Sequence, residues 1–361
     1  MRLLTRYILK EFFGFFAAAL SGIVIVYLCV EFLQQADNFI KDKATLNQVL
    51  RYFIYNIPSI ITPSIPIAAL IATLLSLGGL SRHNEIVAMR ASGMSLGRIT
   101  LPVLVGGLLI SAIGFINNEL IMPAYVAKAI YIKKIEIEKK QQHVIFRQRK
   151  LWLRGPDNSI ANIDFISPDR DVMLGLNVFK FNRDYSVRER IQAARLIWEN
   201  GAWRFKDGTK YVQSAESVHS LPADGEIYNL VDNPTDLSMI VKSAEEMTFL
   251  ELRDYVRRLK TSGYNAVRYE VELYNKLAFP LSSLLMVMIA TPLSLHRVRS
   301  GGAGKSIALA VFIAFGYWGL LSIGSALGRS GTLPPMAASW FANALFSLYA
   351  GAMMARMHRN S

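Results

Sequence analysis

Long uninterrupted apolar runs near both ends are the feature that most limits how this chain can fold. About 20 consecutive apolar residues make a helix long enough to cross the ~30 Å hydrocarbon layer of a membrane. The runs lie in the first and last thirds of the 361 residues, whereas the middle third has the composition of a globular domain. The sequence therefore predicts a polytopic α-helical membrane protein with one large domain outside the bilayer.

Six runs are long enough to be transmembrane helices, three before the middle region and three after it. The first run is longer than the apolar core of a signal peptide, and no small-residue cleavage site follows it, so we expect a retained span. Three prolines, Pro58, Pro63 and Pro66, predict a kink or break where the second run begins. The predicted spans are residues 12–34, 57–80, 99–122, 277–295, 307–327 and 337–354.

The distribution of basic residues predicts the orientation of these spans. The formal net charge is +13, which in a membrane protein more often reflects cytoplasmic Lys and Arg than nucleic-acid binding. One set of short connections, together with both termini, is the more basic, which predicts cytoplasmic termini and an outer middle domain. The richer set is Arg2, Arg6, Lys10, Arg82, Arg90, Arg98, Arg297, Arg299, Lys305, Arg356 and Arg359, and the poorer set is Lys41, Lys43, Arg51 and Arg329.

Short segments of alternating polarity replace the apolar runs in residues 144–241. Pairs such as Asn200-Gly201 and Asp207-Gly208 are typical of hairpin turns with positive φ. Many short antiparallel strands predict an all-β sandwich or jelly roll. Residues 246–262 have helical spacing, with Thr248 and Glu251 as a capping box and Gly263 as the stop. The predicted organisation is three spans in residues 1–122, an outer region in 123–275 and three spans in 276–361.

Motifs that would give the chain its own chemistry are weak. The segment 301–306 ends like a Walker A loop, but Arg299 replaces the first glycine and a span, rather than a strand, precedes it. The five histidines are scattered without metal-ligand spacing. We expect a protein that is not an enzyme and has no metal or cofactor of its own, with an intramembrane hydrolase as the minor alternative. The one cysteine, Cys29, lies in the first run, so the outer domain has no disulfide.

The connection between the second and third spans, Ser81 to Ser95, is the most informative segment. Ile86, Met89 and Arg90 have helical spacing, so a short helix at about 81–93 would lie flat against the membrane surface. Gly93 is a natural stop for this helix. The helix could be an inert connector, or it could dock into a cytoplasmic partner, with Glu85 meeting a basic residue of that partner.

A carboxylate, Glu31, lies late in the first span. A charged group at membrane depth is costly and usually faces protein or water. Since Asp37 and Lys41 follow it closely, the simpler interpretation is that Glu31 lies at the outer interface.

The chain resembles the LptF/LptG (YjgP/YjgQ) family, the permease subunits of the lipopolysaccharide-transport ABC exporter. The resemblance rests on the 81–95 connection and on the order three spans, β-domain, three spans along nearly the whole chain. Within the family the sequence is more similar to the LptG branch than to the LptF branch. That preference rests on residues 252–263, Arg268-Tyr269, Leu151-Trp152 and Trp203-Arg204.

The resemblance implies an inner-membrane permease that extracts lipopolysaccharide and passes it to a periplasmic bridge toward the outer membrane. It implies an LptF-like permease, an LptB-like ATPase dimer that binds the ATP, and an LptC-like subunit as partners, and no nucleic acid. The short helix, with Glu85 at the family's acidic position, would couple ATP-driven closure to the spans. Glu31 stands where a basic group for a lipid phosphate is expected, so Lys41, Lys43 and Arg51 become the head-group candidates.

Three other classes of membrane protein remain as alternatives. A MacB-type mechanotransmission protein also joins spans to an outer domain, but it usually has four spans with the outer insertion after the first. A scaffold would need no lipid cavity. A secondary transporter would place polar residues at mid-membrane in several spans, and these spans contain few.

Overall fold

The computed structural model describes residues 2–138, 144–147, 150–155, 158–166, 171–182, 186–213, 218–228, 230, 243–261, 265–297 and 303–359. These residues form two compact units, Met1–Lys133 with Ala244–Ser361 and Lys134–Ser243. The first is the membrane unit and the second is the β-domain. The predicted stop at Gly263 and the glycines at 301–302 lie outside the described residues.

Long helices make up most of the membrane unit. A π-helical turn, Asn117–Ile121, joins α4 to α5, and a second, Ile132–Ile137, follows α5, so the third predicted span is part of a longer helical rod. The helices are α1 (Arg2–Lys41), α2 (Leu46–Arg82), α3 (Glu85–Ala91), α4 (Leu96–Ile116), α5 (Met122–Tyr131), α6 (Phe249–Thr261), α7 (Val267–Arg297), α8 (Ala303–Arg329) and α9 (Pro335–Arg359).

Five helical segments of the described chain are long and apolar enough to cross a membrane. They are Leu3–Lys41, Leu46–Arg82, Leu96–Tyr131, Val267–Leu295 and Gly304–Arg329. The sixth predicted span coincides with α9, which has 25 residues and is rich in alanine, with polar Ser, Asn and Arg among them. A helix of that length reaches about 37 Å. Its role as a sixth span stays a prediction, while the multi-span helical fold is confirmed.

Helix α2 is the centre of the membrane unit. Of its most apolar stretch, 78% is buried, compared with none of the corresponding stretch of α1. Buried side chains of α2 pack against α1, α4, α7 and α8 in two apolar clusters. Pro58, Pro63 and Pro66 lie inside the helix, which continues through them. Proline is tolerated here because α2 is enclosed by other helices.

The β-domain is one antiparallel sheet whose described strands pair in sequence order. The Asn200-Gly201 turn has positive φ at both residues (53° and 77°), as predicted, and joins β5 to β6. The antiparallel β-domain is confirmed; the described order is a meander, whereas a jelly roll contains Greek-key crossovers. The strands are β1 (Val144–Arg147), β2 (Lys150–Gly155), β3 (Ser159–Ile166), β4 (Val172–Phe181), β5 (Val187–Glu199), β6 (Ala202–Gln213) and β7 (Val218–Pro222).

One face of this sheet carries the apolar core of the β-domain. Trp203 and Phe205 are fully buried there, with Leu176 and Ile191 from neighbouring strands. Along β4, β5 and β6 these residues alternate with less buried ones, since successive side chains point to opposite faces. The second face of the sheet is therefore free to carry polar groups.

Helix α6 begins with the predicted capping box. The Thr248 N–H donates to Glu251 Oε2 at 3.0 Å, and the Glu251 N–H donates to Thr248 Oγ1 at 3.2 Å. The two bonds satisfy backbone N–H groups that the first turn of a helix leaves without partners.

Candidate functional site

The short helix α3 is fixed to the membrane unit by two apolar side chains. Ile86 is 5% and Met89 8% exposed, and both belong to an apolar cluster with Leu80, Leu96 and Ile99. Spacing of i and i+3 places them on one side of the helix. Because these two residues are already buried, the surface that α3 offers to a partner is the opposite one.

Both ends of α3 are sharply defined. Asn84, just before the helix, has φ 59°, and Gly93, just after it, has φ 85°. The Met94 N–H donates to the Met89 carbonyl and the Gly93 N–H donates to the Arg90 carbonyl. This is the Schellman pattern, in which glycine adopts the left-handed conformation without a Cβ penalty. The helix is thus a rigid, short projection.

The outward side of α3 presents Val87, Arg90 and Glu85. Val87 is 48% exposed, Arg90 is exposed, and Glu85 is partly exposed beside the Tyr7 hydroxyl of α1. The sequence analysis named Glu85 and Arg90 but missed Val87. Ile86 and Val87 are both apolar, so the sequence does not show which of the two packs inward.

At the other end of α1 and α2, Glu31 is held by hydrogen bonds between the two helices. Its Oε1 accepts from the Tyr52 hydroxyl at 3.0 Å and from the Asn56 amide at 2.6 Å. Phe39 and Phe53 surround Tyr52 with edge-on ring contacts. Glu31 therefore joins α1 to α2 through hydrogen bonds within the protein.

The three predicted head-group residues lie at the tip of the α1–α2 hairpin. Lys41 is the last residue of α1, Lys43 is in the turn with φ 53°, and Arg51 is in the second turn of α2. All three are exposed. Glu31 lies ten residues before Lys41 in the same helix, or about 15 Å away along the axis, so it is not beside that cation.

A cluster of charged side chains near the start of α7 escaped the sequence analysis. Lys276, 8% exposed, has Glu119, Glu245 and Glu272 as its electrostatic neighbours. Glu119 accepts a hydrogen bond from the Phe249 N–H at the start of α6. The signal for Glu119 was its charge inside the predicted span 99–122.

Two further contacts complete this cluster. Glu272 forms an ion pair with Arg329, which closes α8. Partial desolvation of the Glu245 carboxyl, reinforced by the negative charge of Glu272, raises the pKa of Glu245, while Lys276 acts in the opposite direction. The cluster fixes the start of α6 against the π-helical turn Asn117–Ile121 and α7 through charged groups.

Two helices of the membrane unit present large apolar side chains that the described chain does not cover. Ile25, Val26 and Leu33 are exposed on α1, and Phe312 and Phe315 are exposed on α8. Only 22% of the most apolar stretch of α8 is buried. Such extended apolar faces mark contact with lipid or with another protein.

The comparison with known families decides what kind of protein has this architecture. The family model described as "Lipopolysaccharide export system permease LptF/LptG" matches residues 6–356. The chain belongs to the LptF/LptG family. The resemblance seen in the sequence is thereby confirmed over nearly the whole chain.

Curated relatives place the chain nearer one branch of the LptF/LptG family. The lipopolysaccharide export system permease protein LptG of Escherichia coli K12 is 23% identical over 356 residues, which cover 96% of each chain. The LptG protein of Haemophilus influenzae is 21% identical over 327 residues, covering 86% of this chain and 87% of that protein. The LptF alternative is not favoured by these relatives.

Family membership also settles the coarse location and class of the protein. An LptF/LptG permease whose described residues include five helices apolar enough to span a membrane is an inner-membrane protein. It is a permease component and not itself an enzyme.

Proposed function

We propose that this protein is an LptG-like permease subunit of an ABC exporter that extracts lipopolysaccharide from the inner membrane. The lipid would pass to a periplasmic bridge toward the outer membrane. The observation that carries the proposal is the match of residues 6–356 to the LptF/LptG family model, together with relatives named LptG. The detailed partners and route below are proposals that rest on it.

The physical problem of the exporter is the cost of exposing acyl chains to water. Each CH₂ contributes about 0.8 kcal/mol, so one fourteen-carbon chain costs on the order of 10 kcal/mol. A lipid with several chains must therefore move from the bilayer into an apolar cavity without contacting water. The uncovered apolar faces of α1 and α8 support such a cavity, completed by an LptF-like permease.

The orientation proposed from the basic residues puts both termini and α3 in the cytoplasm and the β-domain in the periplasm. An LptC-like subunit would receive the lipid on that side. Lys41, Lys43 and Arg51 would then lie at the outer surface, exposed at the hairpin tip, where they can attract the phosphates of the head group.

Helix α3 would transmit ATP-driven motion from an LptB-like ATPase dimer to the spans. Support comes from its two faces: Ile86 and Met89 fix it to the membrane unit, while Val87 and Arg90 face outward beside Glu85. The rigid ends at Asn84 and Gly93 would let a push on α3 reach α2 and α4 with little bending.

The experiment is purification of the tagged chain from its own host in mild detergent, followed by identification of co-purifying proteins. We expect a soluble ABC ATPase and a second LptF/LptG permease. A chain that is recovered without an ATPase would contradict the proposal.

The coupling role is tested with Glu85→Lys in the purified complex. We expect ATP hydrolysis to continue while lipopolysaccharide release falls. Glu11→Lys is the matched control, since Glu11 carries the same charge near Tyr7 but lies on α1. Normal release by Glu85→Lys would remove α3 from the mechanism.

A further inference from the structure

A polar depression lies on the sheet face of the β-domain opposite its apolar core. It has a volume of 460 Å³. Strands β3 to β6 all contribute to it, and the side chains that line it are Asp164, Asn177, Gln192, Asp207, Thr209 and Tyr211. The sequence analysis assigned no role to these residues.

Hydrogen-bonding side chains form a row across these strands. The register pairs Asn162 with Asn177, Asn177 with Gln192, and Gln192 with Thr209. Directly paired residues project from the same face of a sheet. Neighbouring strands lie about 4.8 Å apart, so the row is about 14 Å long, which is room for two or three sugar rings.

The depression has depth because small residues interrupt this face. Ala194 contributes only a methyl group, and Gly175 has φ 63°. A Cβ at Gly175 would collide with the carboxylate of Asp164, which lies across the strand at this point. The glycine thus keeps a carboxylate over the sheet at the edge of the row.

One member of the row has an unmet hydrogen bond. Asn162 is 3% exposed, and its Nδ2 has no partner among the described residues. An unpaired buried donor is costly and calls for an explanation. Asn162 does not line the depression, so a ligand would contact the row at Asn177, Gln192 and Thr209.

The functional groups in the row indicate which class of ligand could bind there. Amides and hydroxyls both donate and accept, as the hydroxyls of a sugar do. Two arginines lie at the row and both are bonded within the sheet: Arg195 is paired with Asp207 at 2.6 Å, and Arg190 donates to Asn177 Oδ1 at 3.1 Å. With these arginines engaged, the two carboxylates, Asp164 and Asp207, disfavour an anion. In β2, Trp152 pairs with Asn162 and stacks on Phe179 at 6.4 Å, which puts an aromatic surface for C–H groups at one end of the row.

We propose that this face of the β-domain is a saccharide-binding site that takes neutral, hydroxyl-rich sugar rings along the row that ends at Thr209, with Trp152 beyond its other end. The identification of those rings with the oligosaccharide part of lipopolysaccharide rests on the proposed function. The site would hold the sugars while the acyl chains travel elsewhere.

The test is binding of a lipid-free probe to the full chain in lipid nanodiscs, which contain no sugar detergent. The probe is the oligosaccharide that mild acid releases from lipopolysaccharide, treated with phosphatase, and binding is followed by saturation-transfer NMR and titration calorimetry. Each of Asn177→Ala and Gln192→Ala removes a hydrogen bond, so we expect affinity to fall about three- to tenfold. Glu199→Ala, at the far end of β5, is the matched control and should bind as the parent does.

Absence of binding at millimolar probe, or equal binding by the parent and both row variants, would overturn the site and leave the row as a stabiliser of the sheet. Displacement of the probe by millimolar inorganic phosphate would also overturn it, because it would show an anion site. Unchanged thermal unfolding of the variants shows that they fold. Since no ATP, partner or acyl chain takes part, failure of this test is distinct from failure of lipopolysaccharide export.

Discussion

Val87→Ala tests whether the outward side of α3 binds a partner, without disturbing the side of α3 that packs against the membrane unit. A fully buried CH₂ contributes about 0.8 kcal/mol, so the two lost carbons would contribute about 1.6 kcal/mol. Val87 is 48% exposed in the membrane unit, so roughly half of that gain remains for a partner. A loss of about 0.8 kcal/mol weakens binding about fourfold. The assay is the dissociation constant between the ATPase dimer and the permease in nanodiscs.

The neighbouring residue Ile86 provides the comparison. It is 5% exposed, so Ile86→Ala should destabilise the fold by about 2–5 kcal/mol and lower the unfolding temperature. Val87→Ala should leave that temperature nearly unchanged, as surface substitutions usually do. A Val87→Ala permease that binds the ATPase with unaltered affinity would refute the assignment of the outward face of α3 to docking.

Substitutions at three other positions test separate parts of the account. At Gly93 there is space for a Cβ, but the residue must keep φ 85°. Gly93→Ala should therefore lower ATP-driven export, whereas Gly93→Asn should largely keep it because asparagine tolerates that conformation. Equal export by the two variants would contradict the rigid end of α3. Asn117→Ala removes hydrogen bonds to the Pro58 carbonyl at 2.9 Å and to the Thr62 hydroxyl at 2.8 Å. The free energy of unfolding should fall by about 1–3 kcal/mol, and the midpoint of thermal unfolding should fall with it. An unchanged midpoint would count against this contact. Because the pKa of Glu245 is raised, ionisation of its carboxyl lowers the free energy of unfolding; this loss is absent below the ordinary pKa of 4.5 and complete above the raised pKa. Glu245→Gln should therefore raise the midpoint of thermal unfolding at pH 7 but not at pH 4. Equal effects at the two pH values would show that this charge is not responsible.

The multi-span helical fold could be predicted from the sequence because a membrane imposes a length and a composition on each span. The strands of the β-domain and the Asn200-Gly201 turn could also be predicted. Strands show an alternation of polar and apolar residues, and turns with positive φ favour Asn and Gly. The capping box of Thr248 and Glu251 was found for the same reason: its two residues are close in sequence.

Features that depend on distant partners could not be predicted. The sequence showed that a carboxylate at Glu31 is costly within a span. It did not show its hydrogen-bond donors, Tyr52 and Asn56, because these lie 21 and 25 residues away in the chain. Which side of α3 faces the spans could not be predicted, because an apolar residue at Ile86 looks the same whether it packs inward or meets a partner. The row across β3 to β6 could not be predicted, because it depends on how the strands are aligned with one another, and the sequence of a single strand does not show that alignment.

Movement of lipopolysaccharide out of the inner membrane is the function proposed for this chain. The most direct measurement is depletion of the chain in its own bacterium, followed by pulse-labelling of new lipopolysaccharide and separation of the two membranes. We predict that labelled lipopolysaccharide accumulates in the inner membrane and that the parent chain restores its export. Normal delivery to the outer membrane in depleted cells would contradict the account.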